Sequence, residues 1–532
     1  MKQKIIKIAI MVIVVLVLYF FMLPPLNISS PAFWSFLFTI LIILFGISMV
    51  DKLGFNGITF YTKEPVLNRA TKIILIVIGI VFAGLILINV INSPLFNSKA
   101  YYERISINEE GSFTQDVKEV NFNEVPLLDR DSSEKLGDRV MGQMPDLVSQ
   151  FTVSNQYTQV NYNEDIVRVT PLEYADIIRY ITNRKSGTEG YIIVNSVTGK
   201  SELVRLEEGM RYMPSAILFE KLERKLRFDY PTEIFGQINF EIDNSGKPYW
   251  IISTIKYVGI GLRPEVDGAI IFDPITGNSQ KYAVDEVPAW VDHVYPSELI
   301  ISQTNDWGRY KNGFINSFLG QKDVVAATRG YNYIKLEDDI YLYTGITSVI
   351  SDESNIGFIL TNLRTKETTF YPVAGAEEYS AMASAEGQVQ QMKYKSTFPL
   401  LINLNNKPTY LVSLKDNAGL VKMYGFIDVQ DYQQVVVTDS SEGIEKAARN
   451  YLGDAEINVS QENLVIEDIE IQSITSAVID GVTKYFITDV NGNRYKASVK
   501  INEDKLPYAT AGTKLNISYR KTDGVIEIIK VN

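Results

Sequence analysis

The sequence contains no cysteine and only one histidine, His293. The lack of cysteine excludes a thiol nucleophile, a disulfide framework and a thiolate metal site. A catalytic triad or a zinc site that uses histidine would depend on that single residue. The sequence also has no phosphate-binding loop of the GxxxxGK[ST] kind and no G-x-S-x-G elbow. We therefore predict no metal, no cofactor and no set of catalytic residues.

Acidic residues outnumber basic residues in most of the chain. Residues 1 to 93 contain seven basic and two acidic residues, a net charge of +5. The whole chain has a formal net charge of −12, so the remainder carries −17. Nucleic-acid binding needs clustered Lys and Arg side chains to neutralise the phosphates. We therefore expect no nucleic-acid partner.

Long hydrophobic runs occur only near the N-terminus. Three of them, about Ile8 to Leu23, Phe33 to Val50 and Ile73 to Ile91, approach the roughly 20 residues that cross a bilayer. No small-residue cleavage site follows the first run, so we interpret it as a retained span rather than a signal peptide. None of the runs has an ionisable residue in its middle, where transporters and proton relays usually place one. We expect three transmembrane helices that form an anchor over residues 1–95.

Basic residues that flank these runs predict the orientation of the anchor. The tail before the first run is basic, and the loop before the third run holds Lys52, Lys63, Arg69 and Lys72. The loop between the first two runs carries no charge. Because basic loops stay in the cytoplasm, we predict a multi-pass protein of the cell membrane with a cytoplasmic N-terminus. Everything after about residue 92 is then extracytoplasmic.

One pattern recurs four times in this outer part of the chain. It consists of a glycine, a run of apolar and β-branched residues, a polar turn and a second such run. The copies are Gly190 to Lys200, Gly268 to Tyr282, Gly357 to Phe370 and Gly425 to Val435. The pattern is typical of a β-hairpin. We predict four units over residues 166–462, each with an antiparallel sheet and helical segments between the hairpins.

Helix signals lie before and between these hairpins. Thr170, Pro171 and Glu173 supply an N-cap, a proline at the first helical position and a capping-box partner, so they predict the start of a helix. Another helix is predicted to start at Pro296. Residues 96–165 are polar and mixed in composition, which indicates a spacer with short elements.

The C-terminal segment, residues 463–532, has a different character. It contains five alternating apolar runs with little room for a helix. Such a pattern predicts a small five-stranded β-barrel of the OB or SH3 type. OB barrels often bind nucleic acid, but this one is predicted to face outward. We therefore expect its aromatic residues to belong to the core or the rim rather than to a stacking surface.

Two resemblances add to this interpretation. The unit at 271 to 282, with its DPITG turn, resembles the PepSY-type repeat of bacterial envelope proteins, an antiparallel sheet with a helix across it. The three spans, with motifs such as DWG at 306 to 308 and SDESN at 351 to 355, resemble a family of membrane proteins of Bacillota. PepSY-type domains bind or restrain peptidases or act as chaperone-like modules, so the resemblance implies that role here. It implies an α+β fold with three transmembrane helices, tandem PepSY-like units and the small barrel, and it offers no catalytic residues.

Trp290, His293 and Trp307 lie close together in the sequence, just after the second hairpin. Two indole rings and one titratable imidazole could line a groove for a peptide or a glycan. The alternative is aromatic packing beneath a helix, with a half-exposed histidine. We take these three residues as the candidate binding residues.

Acidic residues gather at Glu337 to Asp339 and again at Asp352 and Glu353. Paired carboxylates could bind calcium or serve as the acid and base of a hydrolase. The alternative is that they belong to turns, since neighbouring residues of a strand point to opposite faces. Asp489 begins a sequence similar to a calcium loop, but Lys500 stands where a bidentate glutamate is needed, so we predict a hairpin turn.

These observations predict a membrane-anchored extracytoplasmic protein that binds or scaffolds other molecules of the bacterial cell envelope, and they favour such a role over an enzymatic one. Its expected partners are the membrane, in which it is integral, and envelope proteins, peptides or a peptidase. Short hairpin repeats offer sheet edges to which a further strand can add. The alternatives are an envelope hydrolase that uses carboxylates such as Asp338 or Asp352, and an accessory subunit of a membrane transport or secretion complex.

Overall fold

The computed structural model describes residues 2–50, 53–55, 60–62, 69–349, 351–453, 464–479, 482–502, 504–520 and 526–531. The chain divides into two compact units, Met1–Ile457 and Asn458–Asn532. Helices and strands are mixed, as the predicted α+β class requires. Lys52 and Lys63, which the sequence analysis places in the cytoplasmic loop, lie outside the described residues.

The first unit begins with apolar helices. They are α1 Lys2–Met22, α2 Pro31–Val50 and α3 Arg69–Asn92, and α2 and α3 are separated by a hairpin of β1 Leu53–Phe55 and β2 Phe60–Thr62. Among the described residues, one helix is long and apolar enough to cross a membrane, over Leu75–Asn92. The apolar parts of α1 and α2, Ala9–Met22 and Pro31–Ile43, are shorter. The structure thus shows one candidate span where the sequence predicts three, and the multi-pass arrangement stays a prediction.

The segment that follows α3 packs against later parts of the first unit. It contains α4 Pro94–Tyr102, the short strand β3 Ile107–Asn108, α5 Phe113–Asp116 and α6 Arg130–Gly142. Its middle part contributes six buried apolar side chains to one core: Phe113, Val117, Val120, Phe122, Val125 and Leu127. The N-cap of α6 is Asp129, whose carboxylate accepts a hydrogen bond from Ser132 N at 3.0 Å. The segment that the composition indicates to be a spacer is therefore a packed element.

The first sheet consists of β4 Phe151–Val153, β5 Thr158–Tyr162, β6 Asp165–Tyr174, β7 Thr188–Asn195 and β8 Ser201–Met210. Its order is β4-β6-β7-β8, and β5 also pairs with β6, so that β4 and β5 together form one broken edge strand. Helix α7 Ile177–Asn183 joins β6 to β7.

The helix predicted to start at Thr170 is wrong, because β6 runs through this residue and α7 starts only at Ile177. Asp176 caps α7 through its carboxylate. β6 tolerates Pro171 because this residue lies opposite the gap between β4 and β5. Its carbonyl accepts a hydrogen bond from Ser154 N in that gap at 3.0 Å. The missing amide of the proline faces the same gap and removes no ladder hydrogen bond.

The second sheet follows α8 Leu222–Asp229 and is a four-stranded antiparallel meander. Its strands, in spatial as well as chain order, are β9 Ile234–Ile242, β10 Pro248–Val258, β11 Leu262–Phe272 and β12 Ser279–Tyr282. Phe240 and Trp250 from this sheet share a core with the first sheet. The opposite face of the second sheet shares a core with the third sheet.

The third sheet follows α9 Ser297–Tyr310 and the short helix α10 Gly313–Ile315. The start of α9 confirms the helix predicted at Pro296. The strands are β13 Val325–Ala327, β14 Asn332–Leu336, β15 Asp339–Ser348, β16 Ser351–Asn362, β17 Thr368–Tyr371 and β18 Gly375–Ala376. The early strand β3 pairs in parallel with β17 and completes the edge of this sheet.

The fourth sheet lies between helices α11 Glu378–Gln388 and α12 Ile444–Leu452 in the chain. Its strands are β19 Lys395–Ser396, β20 Leu400–Leu404, β21 Lys407–Lys415, β22 Val421–Asp428 and β23 Val435–Asp439. They pair in the order β19-β21-β22-β23, with β20 also paired to β21.

These four sheets share one strand order. In each, a first strand pairs with a second, the second with a third and the third with a fourth. The first strand is broken into two pieces in all but the second sheet. The glycines that open the predicted hairpins, Gly190, Gly268, Gly357 and Gly425, all lie in the third strand. The predicted hairpins are therefore present, each as the last two strands of a sheet, whereas the PepSY-like character of the units stays a prediction.

Three of these glycines lie too close to the next strand to carry a side chain. A Cβ built on Gly190, Gly268 or Gly357 would lie 2.2, 2.2 or 2.4 Å from a backbone carbonyl oxygen of the neighbouring strand. A carbonyl that is part of a ladder cannot move away without loss of its hydrogen bond, so the pattern reflects a close approach of two backbones.

We expect Gly268→Ala to lower the free energy of unfolding by about 2–3 kcal/mol, because the added methyl group overpacks the hairpin. The matched control is Gly387→Ala in α11, where a Cβ would meet nothing within 4 Å. The control should leave stability unchanged or raise it by up to about 1 kcal/mol. Urea denaturation of the detergent-solubilised chain measures both, and equal effects of the two changes would contradict the close approach.

The second unit is a closed barrel of five strands. They are β24 Leu464–Ile479, β25 Val482–Asp489, β26 Arg494–Ser498, β27 Lys514–Arg520 and β28 Ile526–Val531. β24 pairs with both β25 and β27, and the parallel pair β26 and β28 closes the barrel. The predicted five-stranded barrel is thus present, whereas its assignment to the OB or SH3 type stays a prediction. Asp489 Oδ1 accepts hydrogen bonds from Asn491 N and Asn493 N, which confirms the predicted hairpin turn.

Candidate functional site

Two carboxyl groups are buried where the second sheet meets the segment before α9. Glu241, near the end of β9, is 0 % exposed, and Asp292 is 2 % exposed. Because side chains alternate along a strand, Phe240 points into the core with the first sheet and Glu241 points to the opposite face. The Glu241 carboxylate accepts hydrogen bonds from Asp292 N at 2.9 Å and from His293 N at 3.1 Å. Asp292 in turn accepts one from Asn161 N in β5 at 2.7 Å.

Burial makes both groups hard to ionise. It raises the pKa of Glu241 to about 7, although the two backbone amides act in the opposite direction. The pKa of Asp292 is raised well above its ordinary value, by burial first and then by the negative charge of Glu241. Two neighbouring carboxylates in the interior do not both ionise readily. Because two amides favour the charged form of Glu241, Asp292 is the group that keeps its proton.

His293 lies beside this pair and is neutral. Its Nε2 lies 2.7 Å from Gln159 O, and a carbonyl can only accept, so Nε2 carries the hydrogen. Burial lowers the pKa of His293 to about 4, and the nearby charge of Arg168 acts in the same direction. Arg168 is itself buried, which lowers its pKa to about 10. Among the described residues, Arg168 Nε has no hydrogen-bond partner.

Residues from several elements meet at this point. Two come from the first sheet, one from the second sheet and two from the segment before α9. We call the following residues the junction cluster: Gln159, Arg168, Glu241, Asp292 and His293. The third sheet contributes Tyr333, whose ring packs edge to face on His293 at a centroid distance of 5.8 Å. The junction cluster therefore joins the first three sheets of the unit.

The junction cluster is closed to substrates. A carboxyl pair that shares a proton, with a histidine nearby, is a common acid and base arrangement, but an acid or base must come within hydrogen-bond reach of the substrate. Every member of the junction cluster is buried. The junction cluster therefore has a structural role. Its hydrogen bonds, and the proton that Asp292 keeps, hold the sheets together.

The structure separates the three candidate binding residues. His293 belongs to the junction cluster and is 5 % exposed. Trp307 in α9 is buried, and its ring centroid lies 6.2 Å from that of Phe370. Trp290 is half-buried and packs on Tyr249 at 5.1 Å. No aromatic contact joins the three rings in the part of the chain that the structure describes, and their binding role stays a prediction.

A second buried carboxyl group lies between the third and fourth sheets. Glu378, in the first turn of α11, accepts a hydrogen bond from Asn355 Nδ2 at 3.3 Å. Asn355 Nδ2 also lies 3.2 Å from the hydroxyl oxygen of Tyr410, and that hydroxyl donates to Ala376 O at 3.0 Å. Burial raises the pKa of Glu378. A Cβ on Gly345 would lie 2.4 Å from Asn355 Nδ2, so the glycine provides the room for this closed cluster.

The acidic residues that the sequence offers to a hydrolase are turn and ion-pair residues where they are described. Asp338 lies in the exposed turn between β14 and β15. Asp339 forms a two-bond ion pair with Arg364 at 2.8 and 2.7 Å. The side chains of Asp352 and Glu353 lie outside the described residues. A search of the described residues finds no group of three or more His, Asp and Glu side chains that could hold a metal ion.

Hydrogen bonds also connect the apolar helices to one end of the second sheet. We call this region of contact the anchor junction. The connection between α1 and α2 lies against the start of β9, where Leu26 N donates to Pro231 O at 2.7 Å. The C-terminal end of α3 lies against the turn between β10 and β11. There Asn89 Nδ2 donates to Ile260 O at 3.0 Å, and Asn89 Oδ1 accepts from Ile260 N at 2.9 Å. These two contacts lie at the same end of the sheet because β9 and β10 are antiparallel neighbours.

Two arginines of α8 complete the anchor junction. The guanidinium of Arg224 lies 4.0 Å from the ring centroid of Phe20, and its Nε donates to Phe20 O at 3.2 Å. Arg227 Nε donates to Leu23 O at 3.0 Å. Cations at the carbonyl end of α1 satisfy orphan acceptors and complement the helix dipole. No pattern in the sequence distinguishes these buried arginines from a half-buried neighbour such as Lys221.

Sequence reasoning finds one residue of the junction cluster, His293, and misses the other four. A usable signal exists at Glu241, since a charged residue flanked by Phe240 and Ile242 in a strand covered on both faces must be buried. Comparison with protein-family models finds no match for this chain. Comparison with curated proteins finds none either.

Proposed function

We propose that this chain is a membrane-anchored extracytoplasmic protein of the bacterial cell envelope that binds or scaffolds envelope proteins or peptides. The anchor junction is the observation that carries the proposal. It brings the C-terminal ends of α1 and α3 to one end of the second sheet, and Gly261 N donates to Ser29 O just before α2 begins. Three antiparallel spans with a cytoplasmic N-terminus would reach the outer surface at this level.

Charge and aromatic residues support the same orientation. Arg69 and Lys72 lie at the far end of α3, about 30 Å along the helix axis from the anchor junction, and basic residues favour the cytoplasmic side. Tyr19 and Trp34 lie at the near ends of α1 and α2, and Trp34 Nε1 donates to Ile28 O at 2.7 Å. Such residues are enriched where a span meets the headgroups.

Binding rather than catalysis fits the outer sheets. Their buried polar clusters are closed, and their repeated strand order, with a helix before each sheet, supports the PepSY-like interpretation. The edge strand β8 is ten residues long and offers its backbone to an added strand. Its charges, which include Glu207 and Glu208, discourage indiscriminate pairing. A partner is therefore expected to be an extended peptide or an envelope protein with a free strand.

Cysteine labelling tests the orientation, because the chain has no cysteine of its own. We expect Lys200→Cys, in an exposed turn of the first sheet, to react with a membrane-impermeant maleimide on intact cells. Lys72→Cys, at the start of α3, should react only after lysis. Labelling of Lys72→Cys on intact cells, with protection of Lys200→Cys, would overturn the proposed orientation.

Affinity capture tests the binding role. The full chain is purified in mild detergent after cross-linking in cells, and the captured proteins are quantified by mass spectrometry against an unrelated three-span protein. We expect enrichment of one or a few envelope proteins with extracytoplasmic domains. A capture profile that equals that of the control would remove the binding or scaffold role and leave the anchor unexplained.

A further inference from the structure

A cluster of exposed apolar side chains lies beside the C-terminal end of α1. We call it the α7 patch. It consists of Ile177, Ile178, Ile181, Leu218 and Phe219, which are between 49 and 63 % exposed. The hydroxyl of Tyr180, on the buried side of α7, donates to Glu220 Oε2 at 2.7 Å and lies 3.1 Å from Ile217 O. This hydrogen bond holds α7 against the turn Leu218–Glu220, so the two apolar groups form one surface.

The α7 patch is continuous with the membrane helices. The Phe219 ring lies 5.7 Å from the Phe20 ring of α1, and the ring of Phe228 in α8 lies 6.3 Å from the same Phe20 ring. Phe21, the next residue of α1, is 71 % exposed. The last turn of α1 therefore contacts the α7 patch through the rings of Phe20 and Phe219.

A second exposed apolar cluster extends from the end of α3. We call it the α10 patch. Its members are Leu95, Phe96, Ile315, Phe318 and Leu319, all more than half exposed. Leu95 and Phe96 belong to α4, which begins two residues after α3 ends. The two halves of the patch are connected through Tyr310, whose ring lies 5.9 Å from Tyr101 of α4 and 6.5 Å from Phe314 of α10.

We propose that the α7 patch and the α10 patch both insert into the outer leaflet of the lipid bilayer, so that the first unit lies on the membrane surface. This inference rests on the proposed anchor and orientation. Large apolar patches on a protein surface mark interaction sites, and both patches begin at the ends of helices that the proposal places in the bilayer. An apolar helix face at such a level lies about 5–10 Å deep, at the boundary of headgroups and acyl chains.

Charge near the α7 patch indicates that apolar burial drives this insertion. Arg184 is paired with Glu220 at 2.9 Å, and Arg179 is paired with Asp176 at 3.3 Å. These guanidinium groups are therefore partly neutralised within the protein. Insertion should depend little on anionic lipid or on salt, in contrast to the binding of a polybasic segment.

Single-cysteine fluorescence in reconstituted liposomes tests the proposal. The full chain carries Phe219→Cys or Phe318→Cys labelled with an environment-sensitive dye, in phosphatidylcholine vesicles with nitroxide lipids that quench near the headgroup or deep in the acyl chains. Ile80→Cys, about 18 Å along α3 from Asn92, is the deep control. Tyr432→Cys, an exposed site in the fourth sheet, is the water control.

We expect blue-shifted emission at positions 219 and 318 and stronger quenching by the shallow nitroxide than by the deep one, with the reverse order at position 80. The water control should show neither change. If position 80 is quenched but positions 219 and 318 respond like position 432, the anchor stands and the insertion fails. Positions 219 and 318 could instead be protected from the aqueous quencher iodide and yet not be quenched by nitroxide lipids. In that case protein rather than lipid covers the patches, and the proposal is wrong. Absence of quenching at position 80 would overturn the anchor and the insertion together.

Discussion

Replacement of Trp250 by alanine is expected to lower the free energy of unfolding of the first unit by about 3–5 kcal/mol. Trp250 lies in β10 and heads the fully buried side chains by volume. Its ring lies 5.2 Å from that of Phe240, and its Nε1 donates to Tyr212 O at 3.2 Å. The change leaves a cavity between the first and second sheets. The strands on both sides are held by backbone hydrogen bonds and cannot move to fill this cavity. The free energy of unfolding therefore falls by the full amount that such a cavity costs.

Two further variants separate the contribution of the Trp250 ring from that of its hydrogen bond and from that of a half-buried tryptophan. Trp250→Phe keeps most of the apolar contact but leaves the Tyr212 carbonyl without its donor, so a loss of about 1–2 kcal/mol is expected. Trp290→Ala removes a half-buried ring that packs on Tyr249, and should cost about 1 kcal/mol. Urea denaturation of the full chain in detergent, followed by far-ultraviolet circular dichroism, avoids any dependence on tryptophan emission. Similar losses for Trp250→Ala and Trp290→Ala would show that Trp250 is not the centre of this core.

The sequence is sufficient to predict the elements whose patterns are local. Gly268, for example, is followed by an apolar run, a DPITG turn and a second strand, and this pattern depends only on neighbouring residues. The five strands of the C-terminal barrel alternate clearly and were predictable for the same reason. Three of the four hairpin glycines meet a carbonyl of the next strand, which gives the repeated glycine a physical cause.

Long-range packing decides the features that local patterns do not predict. Thr170 and Pro171 carry a helix-start pattern, yet the pairing of β6 with β5 and β7 holds them in a strand. The segment around Phe113 to Leu127 has a polar average, although its few apolar residues are buried by sheets that come hundreds of residues later. Glu241 and Asp292 meet only because the second sheet and the segment before α9 fold together, so no spacing in the sequence indicates the junction cluster.

The junction cluster makes stability depend on pH through two groups of opposite sign. Glu241 has a folded pKa of about 7 against an ordinary value of 4.5. Its contribution to stability is complete below pH 4.5 and is lost as the pH rises to about 7. His293 has a folded pKa of about 4 against an ordinary value of 6.5. Its contribution is complete above pH 6.5 and is lost as the pH falls to about 4.

Each of these differences in pKa corresponds to about 3 kcal/mol over its whole range. The two windows overlap, so the effects oppose each other in the parent chain between about pH 4.5 and 6.5. Asp292 keeps its proton in the folded chain and loses it in the unfolded chain, so it also lowers stability as the pH rises above its ordinary pKa. Arg168 stays charged throughout the range in which the two windows overlap and therefore acts on His293 as a constant field.

Removal of either group should change the pH profile by the contribution of that group. Relative to the parent, we expect His293→Gln, which keeps a donor for Gln159 O, to lose about 3 kcal/mol of stability between pH 4 and 6.5. Relative to the parent, Glu241→Gln should gain about 3 kcal/mol between pH 4.5 and 7, because the loss that Glu241 causes in this window is removed while Asp292 and His293 remain. Urea midpoints of the full chain in detergent, measured from pH 4 to 8, provide the comparison. Glu202→Gln, whose carboxylate is exposed, serves as the control and should follow the parent profile. If His293→Gln and Glu241→Gln both follow that profile as well, neither group is buried in the folded chain and the three sheets do not meet as described.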